Sequence, residues 1–250
     1  DLGAKARERA LLDHAPIVDD GDAITETLGF LQVVGREQHR GATRRDFAAY
    51  YEGAKGRPPR PTLVQAASSF ARPGFAVDLG CGDGTLLAYL AAERDAIGYG
   101  VEIDDAGVIA CVKNGVNVIQ GDMERGLEAF ADDSFDYVIL SQTLQAVKSS
   151  ERVVREMLRV GRQGIVTFPN FGYWRNRLQV LRGHMPVSDN LPYQWFDTPN
   201  IHLCTLRDFT RFCAERNIRI LNRRVLTGGD EVGFAPNLLG ALAVYRFTAG

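Results

Sequence analysis

The sequence predicts an α/β protein built on a parallel sheet with crossover helices, and three observations predict it. From residue 75 onward, short apolar runs rich in Val and Ile alternate with longer stretches of helical periodicity. A glycine-rich turn follows the first of those runs directly and opens onto a helix-compatible stretch. The last two runs are joined by a Gly-rich link, 227–233, which favours an antiparallel final pair.

The elements follow in chain order. Strands are expected at 75–79, 99–103, 117–120, 135–140 and 164–168, with a helix at 85–93 after the glycine turn. A helical stretch at 206–216 precedes two further strands, 219–226 and 242–247. Between 169 and 205 the alternation stops, and Phe171, Tyr173, Trp174, Tyr193, Trp195 and Phe196 stand among Gly, Pro and Asn. Long ordered insertions of this kind tend to carry function, although a plain aromatic cap over the sheet edge has the same composition. Within it, apolar residues at 174, 178 and 181 have helical spacing, so one face can bury, either in an interface with a partner or on its own domain, while Arg175, Arg177 and Arg182 project. Upstream, helical segments are expected at 5–13, 22–34 and 44–51, followed by a stiff connector, Gly56-Arg-Pro-Pro-Arg-Pro61, and a helix at 63–70 capped by Thr62. The expected organisation is an N-terminal helical extension or cofactor lid over 1–73, then a second unit over 74–250 that carries the aromatic-rich insertion at 170–204. The chain starts at Asp1 rather than Met, so a native N-terminus upstream is expected.

Composition removes several function classes. Twenty-nine Lys and Arg against 31 Asp and Glu give a net charge of −2, too balanced for a sequence-independent grip on nucleic acid or anionic lipid. No apolar run approaches the roughly 20 residues of a bilayer span, and the first residues lack the basic-then-apolar order of a secretion signal. Neither nucleic acid nor membrane is therefore an expected partner. Cys81, Cys111, Cys204 and Cys213 form no C-x-x-C pair, and a reducing, cytoplasmic setting is expected. His202 and Cys204 lie near Cys213 in the sequence, but structural zinc takes four ligands and no fourth is evident, so no metal is expected.

The chemistry gathers at Asp78-Leu-Gly-Cys-Gly-Asp-Gly84. A strand, a glycine-rich turn and a helix N-terminus together shape a nucleotide site, and a Cβ at Gly80 or Gly82 would keep the backbone from a ligand. The spacing separates two cofactor classes. In the dinucleotide fingerprint the third glycine would stand at 85, which is Thr85; here it stands at 84. Asp78 would sit awkwardly beside a pyrophosphate but suits a ligand bearing a cationic ammonium and sulfonium. Glu102, 24 positions after Asp78, ends the second strand where a carboxylate can accept from both ribose hydroxyls, with Ile103 beside it. After the third strand, Asp122 can accept from an adenine amino group and Met123 can pack on the ring. Ser141 and Gln142 end the fourth strand at the mouth of the same crevice. Taken singly, Glu102, Asp104 and Asp122 read equally well as helix-capping carboxylates. Their place at the ends of successive strands favours nucleoside binding. The expected cofactor-binding set is Asp78, Gly80, Cys81, Gly82, Gly84, Glu102, Ile103, Asp122, Met123, Ser141 and Gln142.

These residues resemble the S-adenosylmethionine site of class I methyltransferases. The resemblance implies a doubly wound, Rossmann-like sheet of seven strands with an antiparallel last strand, and S-adenosylmethionine as cofactor. More narrowly, Tyr99-Gly-Val-Glu-Ile-Asp-Asp105, Asn117-Val-Ile-Gln-Gly-Asp122, Phe168-Pro-Asn-Phe-Gly172, Leu191-Pro-Tyr-Gln-Trp195, Asp197-Thr-Pro-Asn-Ile-His-Leu-Cys-Thr205 and Pro236-Asn-Leu-Leu239 are similar to the methionine biosynthesis protein MetW family. That resemblance covers about 74–247. It implies a role in methionine biosynthesis as partner of a homoserine O-acyltransferase of MetX type, with no methyl acceptor attached to the family. The leading residues depart from that pattern: Tyr50-Tyr51 and the proline-rich stretch after them look like the lead-in of other class I methyltransferases, where an N-terminal helix closes over the cofactor. The alternative is methyl transfer to a small-molecule acceptor. Catalysis would then rest on aligning acceptor and sulfonium, with His202 or Tyr193 as candidate base. The tail of the fourth strand lacks the Asn/Asp-Pro-Pro-aromatic loop of enzymes that methylate nucleobase amino groups.

Overall fold

A computed structural model describes residues 74–250. The expected elements at 5–13, 22–34, 44–51, 56–61 and 63–70 lie outside the described residues.

The described chain runs β1 (Phe75–Leu79), α1 (Thr85–Arg94), β2 (Ile97–Glu102), α2 (Asp105–Lys113), β3 (Asn117–Gln120), α3 (Met123–Gly126), β4 (Phe135–Ser141), α4 (Ser150–Val160) and β5 (Gly161–Pro169). It continues through α5 (Trp174–Leu181), α6 (Leu206–Glu215), β6 (Ile218–Thr227), β7 (Asp230–Glu231), α7 (Pro236–Leu239) and β8 (Leu242–Ala249). All seven expected strands are present. The additional one, β7, is a two-residue partner to the end of β6, closed by Gly228 and Gly229 at positive φ.

One sheet has the order β3-β2-β1-β4-β5-β8-β6-β7. Strands β1 to β5 pair in parallel, and β8 inserts antiparallel between β5 and β6. The chain winds outward from β1 to β3, then returns to β4 on the other side of β1. That reversal opens a crevice at the carboxyl ends of β1 and β4, the place where sheets of this kind bind ligands.

The central strands β1, β4, β5 and β8 are buried on both faces, and their period of two assigns each face its own core. Val77, Leu79, Val138, Leu140, Val166 and Phe168 face α4 and α6. Ala76, Tyr137, Ile139, Ile165 and Val244 face the other way, onto Leu90 of α1. Helix α4 buries Val153, Val154, Met157 and Val160 on one stripe, and α6 buries Leu206, Phe209 and Cys213. Thr205 and Asp208 cap α6 reciprocally, hydroxyl to backbone and carboxylate to backbone.

Helix α5 leaves much of its apolar face open, which favours the interface alternative over packing on its own domain, and its arginines project. Trp174 and Leu181 are 41% and 83% exposed, and the helix seats through Asn176, whose Nδ2 donates to the Asn170 carbonyl. Arg177 stays exposed while its Nε donates back to the Gly172 carbonyl at 2.6 Å, so the carbonyls of Asn170 and Gly172 find donors on α5.

Candidate functional site

The glycine turn lies in the crevice at the end of β1. Gly80, Gly82 and Gly84 all have positive φ, 68°, 59° and 74°, so every second residue of the turn is left-handed. Gly80 and Cys81 donate their N–H groups to the Val101 carbonyl at 2.8 and 3.2 Å, which bends the turn over the end of β2. A Cβ on Gly80 would stand 2.8 Å from Met123 Cε and 3.2 Å from Thr143 Oγ1. The ends of β1, β3 and β4 therefore meet at this glycine. Gly84 serves packing, because a Cβ there would meet Cys111 Sγ and Val116 at 3.0 Å.

Glu102 holds the turn from beneath. It is buried, and its Oε2 accepts from Gly82 N–H at 2.8 Å while Oε1 accepts from Ile103 and Asp104 N–H at 2.8 and 3.0 Å. Burial pushes its carboxyl above the usual range, and these three N–H donors pull it back. Three of the roughly four lone-pair sites of the carboxylate are thus occupied by backbone. Gly107 of α2 packs against it, since a Cβ there would lie 2.8 Å from Glu102 Cγ.

Asp78 is the electrostatic anomaly of the site. It is 1% exposed, and its Oδ1 is buried with no hydrogen-bond partner. Burial, and secondarily the charge of Glu102, pushes its carboxyl up to about 8. A buried, unpartnered acid at the end of β1 suits a cationic ligand group that would draw it into the ionised form.

The remaining expected residues take different parts. Asp122 caps α3, its Oδ1 accepting from Glu124 N–H at 2.8 Å, and Asp104 caps α2 through Ala106 and Gly107 N–H. Both capping readings are thus realised. Cys81 turns its side chain into the sheet, where it stands 3.6 Å from Cys111 Sγ and beneath Gly100; its thiol is pushed well above the usual range by the hydrogen bond to Cys111 and by burial. Ser141 Oγ lies 3.3 Å from Thr167 Oγ1. Gln142 sits at a φ of 50°, braced by N–H donation to both the carbonyl and the hydroxyl of Thr167. A non-glycine residue held left-handed at the mouth of a crevice is stored strain of the kind found at ligand sites. Thr143 and Thr167 were not among the expected residues; the polar run that continues β4 could have found Thr143, whereas Thr167, a lone polar residue within the apolar stretch of β5, carried no such signal.

His202 and Tyr193 stand in the insertion between α5 and α6. The backbone of His202 donates to the Gln145 carbonyl, and its exposed ring places Nε2 3.3 Å from the Lys148 carbonyl. Tyr193 is 37% exposed in the insertion. Among the described residues, no group of three or more His, Cys, Asp or Glu is placed to hold a metal ion, and no helix is long and apolar enough to cross a membrane.

The sheet order and the glycine crevice define a class I S-adenosylmethionine-dependent methyltransferase fold. Solved structures agree: a SAM-dependent methyltransferase from Thermotoga maritima matches with a TM-score of 0.60 at 18% identity, over 83% of this chain and 97% of that one. A TehB-like SAM-dependent methyltransferase from Corynebacterium glutamicum matches with a TM-score of 0.55 at 13% identity, over 83% and 98%. Within that fold the chain belongs to the MetW family, whose model, "Methionine biosynthesis protein MetW", matches residues 64–247. A curated relative, the bifunctional methionine biosynthesis protein MetXA/MetW of Rhodopirellula baltica, is 37% identical over 186 residues, 68% of this chain. The match spans only 30% of that relative's length.

Proposed function

We propose that this chain binds S-adenosylmethionine in the glycine crevice and acts in methionine biosynthesis as the partner of a homoserine O-acyltransferase of MetX type. The observation that carries the partnership is the relative in which MetXA and MetW are joined in one protein. Two activities that share a polypeptide in one organism are natural candidates for association between separate chains in another. The surface is compatible: Trp195 and Phe196, 73% and 70% exposed, and Trp174 with Arg175 over its ring, have the composition of interface anchors. The free thiols suit a reducing compartment, the cytoplasm.

The residues of the crevice fit the cofactor. Asp78 carries a buried oxygen in need of a cationic partner, and the left-handed Gly80 and Gly82 turn the backbone across the end of β1 without side chains of their own. In this reading Asp78 faces the ammonium, Gly80 and Gly82 allow the backbone to approach, and Glu102 offers its remaining acceptor capacity to the ribose. Asp122 and Met123 flank the adenine, and Ser141 and Gln142 close the mouth. S-adenosylmethionine, when bound, supplies a methyl group already activated on a sulfonium. A second reading, methyl transfer to a small-molecule acceptor, uses the same crevice and is favoured by the exposed imidazole of His202 beside the tail of β4.

Mixing the purified chain with a purified homoserine O-acyltransferase, with and without S-adenosylmethionine, tests the first reading. Co-elution as a complex and a change in acyl-transfer rate are expected. Separate elution with an unchanged rate, together with formation of S-adenosylhomocysteine from a small acceptor, would replace it by the second.

A further inference from the structure

A cavity of about 420 Å³ opens between the N-terminal ends of α4 and α6, beside the tail of β4. Val154 of α4, Phe168 of β5, and Phe209 and Phe212 of α6 form its apolar floor. Phe168 and Phe209 are core residues with ring centroids 5.2 Å apart, so the floor is set by the packing of helices on the sheet. The volume falls in the range of preformed small-molecule sites, roughly 300–1,000 Å³.

Gln145 enters the lining from the segment after β4. Its Nε2 donates to the Gln142 carbonyl at 2.7 Å, which fixes the amide, because the reversed orientation would oppose two oxygens. Its Oε1 is then left buried with no partner. Its backbone is anchored too, the carbonyl accepting from Ile201 and His202 N–H at 2.8 and 2.9 Å where the insertion returns. A fixed buried acceptor beside an aromatic floor calls for a ligand that brings a donor. The charged lining residues, Lys148, Glu151 and Asp208, are all exposed and so belong to the rim.

We propose that this cavity is a small-molecule site for a neutral compound with an apolar, ring-sized body and one hydroxyl or N–H group that donates to Gln145 Oε1. A zwitterionic amino acid does not suit it, because its ammonium and carboxylate would be buried against phenylalanine rings without counter-charges. The site is separate from the glycine crevice, joined to it through Gln142, and the inference does not depend on the acyltransferase partnership.

The test is a titration of the full chain with p-cresol and with p-xylene, followed by methyl-resolved NMR. The two probes share a ring and differ by one donor. p-Cresol is expected to shift the methyl signals of Leu144 and Val154 and to bind at least fivefold more tightly than p-xylene. Gln145→Met should erase that preference. Val154→Phe, which fills the cavity, should abolish both binding events while S-adenosylhomocysteine still binds. Absence of binding, equal affinity of the two probes for the unaltered protein, or p-cresol binding that survives Val154→Phe would overturn the proposal. The comparison of probes in the unaltered protein stands even if a variant fails to fold.

Discussion

Replacing Asp78 by Asn should flatten the pH dependence of stability. The carboxyl is 1% exposed, and its position raises its proton affinity from an ordinary value of 3.8 to about 8, mainly by burial and secondarily through Glu102. Between those two values the folded chain holds a proton that the unfolded chain releases. The stability tied to this group is therefore complete below about pH 4, declines by roughly 1.4 kcal/mol per pH unit, and levels off above pH 8. From pH 5 to pH 8 the loss amounts to about 4 kcal/mol, a large share of the roughly 5–15 kcal/mol that holds a domain folded. Asn keeps the shape of Asp78 and does not titrate. Urea unfolding of both proteins at pH 5, 6.5 and 8, followed by circular dichroism, should show the variant gaining on the parent by about 4 kcal/mol over the interval. Parallel curves would mean that Asp78 is ionised throughout and has found a partner, and the reasoning from its buried oxygen would fail.

Three further outcomes follow from the same geometry. A ligand ammonium favours ionised Asp78, so binding below pH 8 must expel its proton; affinity for S-adenosylhomocysteine should fall about tenfold from pH 7.5 to 6.5, with close to one proton released in calorimetry across buffers of different ionisation enthalpy. Gly80→Ala places a Cβ 2.8 Å from Met123 Cε at a φ of 68° and should weaken that binding at least tenfold and cost about 1–3 kcal/mol of stability, measured by titration and by denaturant unfolding. Gly100→Ala puts a Cβ 2.2 Å from Cys81 Sγ and should destabilise by about 1–3 kcal/mol; adding Cys81→Ala should restore part of that loss, and a fully additive pair would refute the contact.

The strands and the glycine turn were legible in the sequence because their causes are local. Short, mostly apolar runs such as 75–79 and 135–140, spaced by helical stretches, read as central strands, and glycines spaced by two have few uses besides a left-handed turn. The family resemblance was legible too, in the strings around Glu102, Asp122 and Trp195. The helix at 174–181 and its outward arginines were legible, but what seats it was not: Asn176 donates to the Asn170 carbonyl, a partner that stands beside it only after folding.

The sequence by itself therefore determined the α/β class, the succession of the five parallel strands along the chain and the glycine turn after the first, because each rests on periodicity and spacing, whereas their order in the sheet is a tertiary fact. The tertiary structure alone decided that Asp78 keeps an unpartnered oxygen, that Glu102 spends most of its acceptor capacity on the turn, and that Gln145, with a buried unpartnered oxygen, joins the lining of a phenylalanine-floored cavity. Each of these depends on which distant groups desolvate a side chain and which donors reach it. Such long-range neighbours leave no local mark in the order of residues.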